Sequence, residues 1–186
     1  MITIFIVILF SASAACWSVD VQEECVSPYN PIVEVKWDGL HVKKVVAHIR
    51  PEHLGKGSVV PTEFSKKLRF DMGCRDVDHA GHIIAKSLGG CGDKFGNVFP
   101  QHRTINMGAF NNGPEKMVRN AVKEIPKGSN DHVEYTVELF YADRSKTRPH
   151  YLRYRIVKVQ NNGRTRIVQA EERIDNPKGA DCVRTT

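Results

Sequence analysis

Hydrophobic and polar positions alternate first in "IVEVKWDGLHVKKVVAHI", residues 32–49, where two β-rich runs flank Asp38-Gly39. A period of two buries one face of a strand, and Asp-Gly between two such runs is a strong hairpin signal. The same alternation returns in "HVEYTVELFYA", residues 132–142, and in "HYLRYRIVKV", residues 150–159, joined by the polar "DRSKTRP". "NNG" at 161–163 then turns the chain into a further strand, "RTRIVQAEE". Between these runs the period changes. "PEKMVRNAVKEI" sets Met117, Val118, Ala121, Val122 and Ile125 on one face of a helix, with Pro114 in its first turn and "PKG" closing it. Residues 50–64 carry two Pro and two Gly and read as a loop, and "KKLRFDMGC" reads as a short strand. From Cys74 to Gln101 the pattern is irregular apart from "HIIAKSL". The sum is an α+β fold, an antiparallel sheet with one main helix placed mid-chain. No internal repeat or low-complexity tract interrupts it.

The first residues do not belong to this pattern. "MITIFIVILFSASAACWS" has an apolar run from Ile2 to Phe10 and then small residues. The run is too short for a membrane helix, which needs about 20 residues, and it fits a secretory signal peptide over residues 1–18. Residues 19–186 are then expected to form a single domain, secreted or extracellular. The cysteines agree. Removing residues 1–18 takes away Cys16 and leaves Cys25, Cys74, Cys91 and Cys182, an even set suited to two disulfide bonds. Of three possible pairings, Cys74–Cys91 with Cys25–Cys182 is preferred. No C-x-x-C is present, which argues against a cysteine zinc site or a thioredoxin-like redox site.

The 186 residues carry a formal charge of +6 and a pI near 9.1. Such a balance favours an anionic partner: nucleic acid, glycosaminoglycan or an anionic membrane surface. Arg153 and Arg155 share one face of their strand and are placed to follow a phosphate backbone or to be a solvated face. No aromatic pattern of the kind that reads RNA sequence is present. The central segment narrows the choice. "DHAGHIIAKSLGGCGDKFGNVFPQHRTINMGAFNNGPEKMVRNAV" holds His79, His82, Asn97, Asn106, Glu115 and Arg119 in order. An imidazole can deprotonate water near neutral pH. An amide oxygen is a hard ligand, suited to Mg²⁺. A guanidinium holds phosphate. Together they outline metal-assisted phosphodiester hydrolysis. Taken singly, each has a blander reading: Asn97 and Asn106 as turn residues, Glu115 and Arg119 as a helix-surface pair, His79 as a solvent-facing or supporting histidine. His79 and His82 as an H-x-x-H zinc pair lack a third ligand at useful spacing.

The elements "DHAGH", "NVFPQ", "INMGAF" and a helical Glu115 resemble, in order, those of the DNA/RNA non-specific endonucleases, over about residues 68–160. "GHIIAKSLGG" and "YTVELFYADRSKTRP" are closer to the bacterial secreted-toxin branch. The resemblance implies a ββα-metal finger, its core at about 68–125, and a substrate of DNA, RNA or both. It implies His82 as general base, Asn106 as the Mg²⁺ ligand (Mn²⁺ being another divalent candidate) and Asn97 as an orienting residue. It implies that Glu115 holds a metal-bound water or positions His82, and that Arg119 stabilises transition-state charge. A protein inhibitor is a possible partner; a membrane is not. One hallmark is missing: the Arg expected before Gly81-His82 is Ala80, and Arg75, Lys86 or Arg103 are the candidate substitutes. That departure keeps a second reading open, a non-catalytic secreted basic module that binds nucleic acid or another polyanion on the nuclease fold.

Overall fold

Alternating strands give the molecule its scaffold. The computed structural model describes residues 27–74, 76–143 and 146–177; the expected signal peptide, Cys16, Cys25 and Cys182 lie outside them, as does Arg75. The Asp38-Gly39 hairpin forms as expected, joining β1 (Ile32–Asp38) to β2 (His41–Ile49). Gly39 takes φ +61°, a left-handed conformation that glycine adopts without a Cβ clash. The other expected strands are β5 (His132–Phe140), β6 (Tyr151–Gln160) and β7 (Thr165–Asp175). They complete an antiparallel five-stranded sheet in the order β1-β2-β5-β6-β7.

A second, two-stranded ribbon lies within the region that reads as irregular. It pairs β3 (Asp78–His82) with β4 (Val98–His102), Asp78 opposite His102 and His82 opposite Val98. A wide π-helical segment, Ile105–Glu115, follows and runs into α2 (Lys116–Lys123), the break falling at Gly113 just before Pro114. Ribbon and helix together make the expected ββα unit. A second α-helix, α1 (Thr62–Asp71), replaces the strand expected over "KKLRFDMGC". Phe64 and Leu68 are four apart, so one helical face is apolar; Leu68 is buried and the Phe64 ring meets Phe95 at a tilt, centroids 4.7 Å apart. A short apolar run does not by itself distinguish strand from helix.

One buried cluster joins the two parts. Val45, Ala47 and Ile49 of β2, alternate residues of β5 and β6, and Val118, Ala121, Val122 and Ile125 of the helix pack with Ile83, Ile84, Phe99 and Phe110. Met117, expected with the apolar stripe, lies at its edge and is exposed. "IIA" after His82 is core: Ile83, Ile84 and Ala85 are all buried.

A buried ion pair fixes the start of β3. Arg148 donates through Nε to Asp78 Oδ2 at 2.7 Å and through Nη2 to Asp78 Oδ1 at 2.8 Å. It also donates to the carbonyls of Asn176 and Pro177, tying in the end of β7. Asp78 is 1% and Arg148 8% exposed. Removing one partner of such a pair strands the other charge. Arg148→Ala is therefore expected to lower stability by about 3–5 kcal/mol, read from urea unfolding; a loss below about 1 kcal/mol would show that the pair behaves like an exposed one.

The expected Cys74–Cys91 bond does not fit. Cys74 follows the C-terminal end of α1, where its N–H donates to Asp78 Oδ2 at 2.7 Å. Cys91 precedes Gly92, which packs against Val59 and Val60 at the other end of that helix. Ten helical residues span about 15 Å, twice the Cα separation that a disulfide tolerates.

Candidate active site

The ββα unit brings His79 and Asn106 together. Asn106 stands in the first turn after β4, and antiparallel pairing returns that point of the chain to the start of β3. The Asn106 amide nitrogen lies 3.3 Å from His79 Nδ1. As drawn, the amide donates to the imidazole lone pair; Asn oxygen and nitrogen exchange places on a half-turn of the amide. Burial holds the His79 pKa below its usual value, and Arg69 and Arg103 push it the same way. Asp78 opposes them. Ala80, where the family hallmark has Arg, pairs with Pro100 and brings no charge.

His82 is three residues further along β3, and its hydrogen bond is elsewhere. Its Nε2 lies 3.0 Å from the Ser58 carbonyl. In the neutral ring that nitrogen carries the proton, leaving the lone pair on Nδ1. Burial lowers the His82 pKa, opposed by the Ser58 bond and assisted by Lys86. The ring is therefore neutral near pH 7. By strand alternation His82 stands on the ribbon face opposite His79. The structure thus joins Asn106 to His79 rather than to His82, which spacing alone did not reveal.

Asn97 is wholly buried and is not an ordinary turn residue. Its Oδ1 accepts from Ile84 N–H, its Nδ2 donates to the Ile84 and Cys91 carbonyls, and its own carbonyl accepts from Ile83 N–H. Three of these bonds fix the backbone immediately after His82 and the fourth ties it to Cys91, so Asn97 orients that segment without facing a substrate. Gly90 is needed beside it: a Cβ there would meet Ile84 O at 1.7 Å.

Glu115 and Arg119 come one turn apart at the junction of the π-helical segment and α2. Burial raises the Glu115 pKa to about 7, Arg119 opposing it. Glu115 in turn acts on the buried Tyr135, whose hydroxyl makes no hydrogen bond. Arg119 Nε is also buried without a partner. So is the amide of Gln101, at both ends, although Gln101 is fully buried and pairs with His79 across the ribbon. Gln101 stood in the "NVFPQ" element but was not among the expected site residues; register alone places it beside His79. Buried polar groups without partners are uncommon in native proteins and call for a missing water, ion or ligand. The donor set is consistent with a weakly held divalent ion: a hard amide oxygen at Asn106 with an imidazole beside it. Among the described residues no three His, Cys, Asp or Glu side chains cluster as a closed metal site.

Arg153 and Arg155 belong to the other side of the sheet. Their exposed face alternates with the buried Leu152, Tyr154 and Ile156. Arg155 lies 3.2 Å from Glu171 and Arg153 packs over the Phe140 ring, so this face does not continue the site.

A nuclease ββα unit with one amide at its helix entrance defines the class, and the comparisons give the family. The family model for DNA/RNA non-specific endonucleases matches residues 61–161, more than half of the chain. The protein belongs to that family. In fold it is similar to NucA from Streptococcus agalactiae with no metal bound, at 18% identity and TM-score 0.53 over 78% of this chain and 70% of that one. The magnesium-bound form of that nuclease gives 16% identity and TM-score 0.51, over 78% and 72%. A structure described as an extracellular endonuclease gives 13% identity and TM-score 0.59, over 86% and 84%. No curated protein matches the sequence significantly. Among the described residues no helix is long and apolar enough to cross a membrane.

Proposed function

We propose that the protein is a secreted, Mg²⁺-dependent endonuclease that hydrolyses phosphodiester bonds in DNA, RNA or both with little sequence preference. The observation that carries this reading is the Asn106 amide beside a neutral imidazole, on whose charge Arg69 and Arg103 both act. That is a cation ligand set among groups that bind phosphate. A bound Mg²⁺ would supply Lewis-acid stabilisation of charge on the scissile phosphate, held by Asn106 with water and phosphate oxygens completing its shell.

The chain's own groups supply the rest. His82 is taken as the base on the family resemblance: the Ser58 carbonyl fixes its tautomer and leaves Nδ1 to accept a proton from water, whereas His79 Nδ1 is engaged by Asn106; because the two rings stand on opposite ribbon faces, this role requires the scissile phosphate to reach both at the ribbon edge. Asn97 holds the His82 segment in place. Arg119, with an unused Nε, is available to charge developing on phosphate oxygens. Arg69 and Arg103 take over the phosphate contact that Ala80 cannot make. Arg69 also lines an open groove along α1, where Lys66 and Lys67 are balanced by Glu63, Asp71 and Asp76. Secretion is supported by the N-terminal apolar run and by the cysteines. Neither Cys74 nor Cys91 is a free thiol; set at opposite ends of α1, they are proposed to bond to cysteines nearer the two termini.

The test is digestion of plasmid DNA and of RNA by the purified mature protein, with Mg²⁺ and with EDTA, across a pH series. Glu115 gives the series a sign. Its folded pKa, about 7, lies above the ordinary 4.5. The stability that its protonated form contributes is full below 4.5 and is lost as pH rises through about 7. The carboxylate needed to hold a water or the base forms over that same interval. Cleavage is expected to rise through about pH 7 while stability without metal falls, and Glu115→Gln should flatten both trends. Binding without cleavage under any divalent metal would replace this reading by the polyanion-binding module that Ala80 leaves open.

A further inference from the structure

We propose that His79 is a second protein ligand for the cation at Asn106, so that the site binds its metal through an imidazole nitrogen as well as an amide oxygen. The proposal rests on the nuclease reading above and refines its metal chemistry. The resemblance gives Asn106 alone as the protein ligand, and nothing in it assigns a metal to His79.

Three observations support it. The first is separation. Two ligands adjacent on a divalent ion, each about 2.1 Å from it, lie about 3.0 Å apart at a right angle and about 3.4 Å apart at a tetrahedral angle. His79 Nδ1 and the Asn106 amide end are 3.3 Å apart. The second is the choice of atoms. A half-turn of the Asn106 amide would set an oxygen against the imidazole lone pair, two acceptors facing each other. Without a cation that arrangement is repulsive; with one between them both become ligands. The third is the surroundings. Gln101, opposite His79 on the same ribbon face, is fully buried with both amide atoms unpaired. Its amide lies over Gly81, where any Cβ would fall 2.1 Å from Gln101 Oε1. The ribbon has kept Gly81 bare and left a buried amide beside His79 with two hydrogen bonds to give, to a water or to a phosphate oxygen.

An imidazole changes selectivity. Magnesium prefers oxygen donors, whereas manganese, cobalt and zinc accept imidazole readily. The site should therefore bind Mn²⁺ or Co²⁺ more tightly than Mg²⁺. Loss of the imidazole should weaken Co²⁺ binding by at least ~10-fold, since even the loss of a group supporting a ligand costs that much.

The experiment uses the mature protein, its His79→Ala, His79→Gln and His82→Ala variants, and Mn²⁺ as the probe. Pulsed electron paramagnetic resonance reads ¹⁴N coupling from a directly bound imidazole, and Co²⁺ titration by visible absorption reads affinity. The expected result is imidazole coupling in wild type and in His82→Ala, lost in both His79 variants together with at least ~10-fold in Co²⁺ affinity. Coupling that is absent from wild type, or that survives in a folded His79 variant, overturns the proposal. If the His79 variants do not fold, loss of coupling in His82→Ala overturns it and retention supports it, because His82 is then removed as the source. Cleavage is scored separately. A wild type that cuts DNA without coupling leaves the nuclease reading standing and removes His79 from the metal; coupling without cleavage does the reverse.

Discussion

His82→Ala is expected to lower phosphodiester cleavage by at least ~10²-fold, the usual scale for losing a positioned general base. The fold should survive. The ring makes a hydrogen bond to the Ser58 carbonyl, and such a bond is worth about 1 kcal/mol net. The backbone after it is held independently by three bonds of Asn97 to Ile83 and Ile84. Metal affinity should be unchanged, because Asn106 is in contact with His79 and not with His82. His79→Ala is the matching control, and its defect should shrink as metal is raised, while that of His82→Ala should not. The measurement is the initial rate of plasmid nicking at limiting and at saturating Mg²⁺, with thermal melts of each variant. A folded His82→Ala protein cutting at near-normal rate, beside a His79→Ala protein that stays inactive at saturating metal, would transfer the base to His79.

That the two histidines need separating by experiment reflects what a sequence can and cannot carry. The five-stranded sheet was legible because its strands are long and alternate, and because Asp38-Gly39 and "NNG" mark the turns. Helix α2 was legible because Val118, Ala121, Val122 and Ile125 repeat at helical spacing. The order of "DHAGH", "NVFPQ" and "INMGAF" carried the family and, with it, the ββα unit. The ribbon itself was hidden. Its strands have five residues each, one holds Gly81 and the other Pro100, and fifteen residues separate them. Alternation over such a length is too brief to register, and both residue types argue against a strand. Helix α1 was lost for a related reason, a short run with only Phe64 and Leu68 to set its period. Contacts fixed by register were out of reach altogether. His79 meets Asn106 27 positions away and Asp78 meets Arg148 70 positions away. Either distance becomes a contact only when β3 is paired and the chain returns along β4 or β6. The role of Asn97 was legible in part: its place in the motif marked it, but only burial shows that it braces backbone. Arg153 and Arg155 were rightly placed on one face. That the face lies opposite the site depends on which side of the sheet the ββα unit covers.

Asn106→Ala should abolish cleavage and leave nucleic-acid binding largely intact. One amide oxygen is a weak anchor for a hydrated ion, and even with His79 beside it the described site has no cluster of three acidic or imidazole side chains. The cation should therefore be held largely by water and substrate phosphate, with activity needing on the order of millimolar Mg²⁺. Removing Asn106 takes away the hard oxygen donor and the residue against which His79 is placed, so raising the metal should restore little. Binding draws on other groups. Arg69 and Arg103 are untouched by the substitution, and their attraction to phosphate should fall steeply with salt in wild type and variant alike. Parallel salt slopes in a gel-shift series, with digestion present in one protein and absent in the other, would separate catalysis from electrostatic binding. An Asn106→Ala protein that cuts well at millimolar Mg²⁺ would place the metal elsewhere. One that loses binding in proportion to cleavage would show that Asn106 holds the nucleic acid itself, and that the amide at the helix entrance is a phosphate contact before it is a metal ligand.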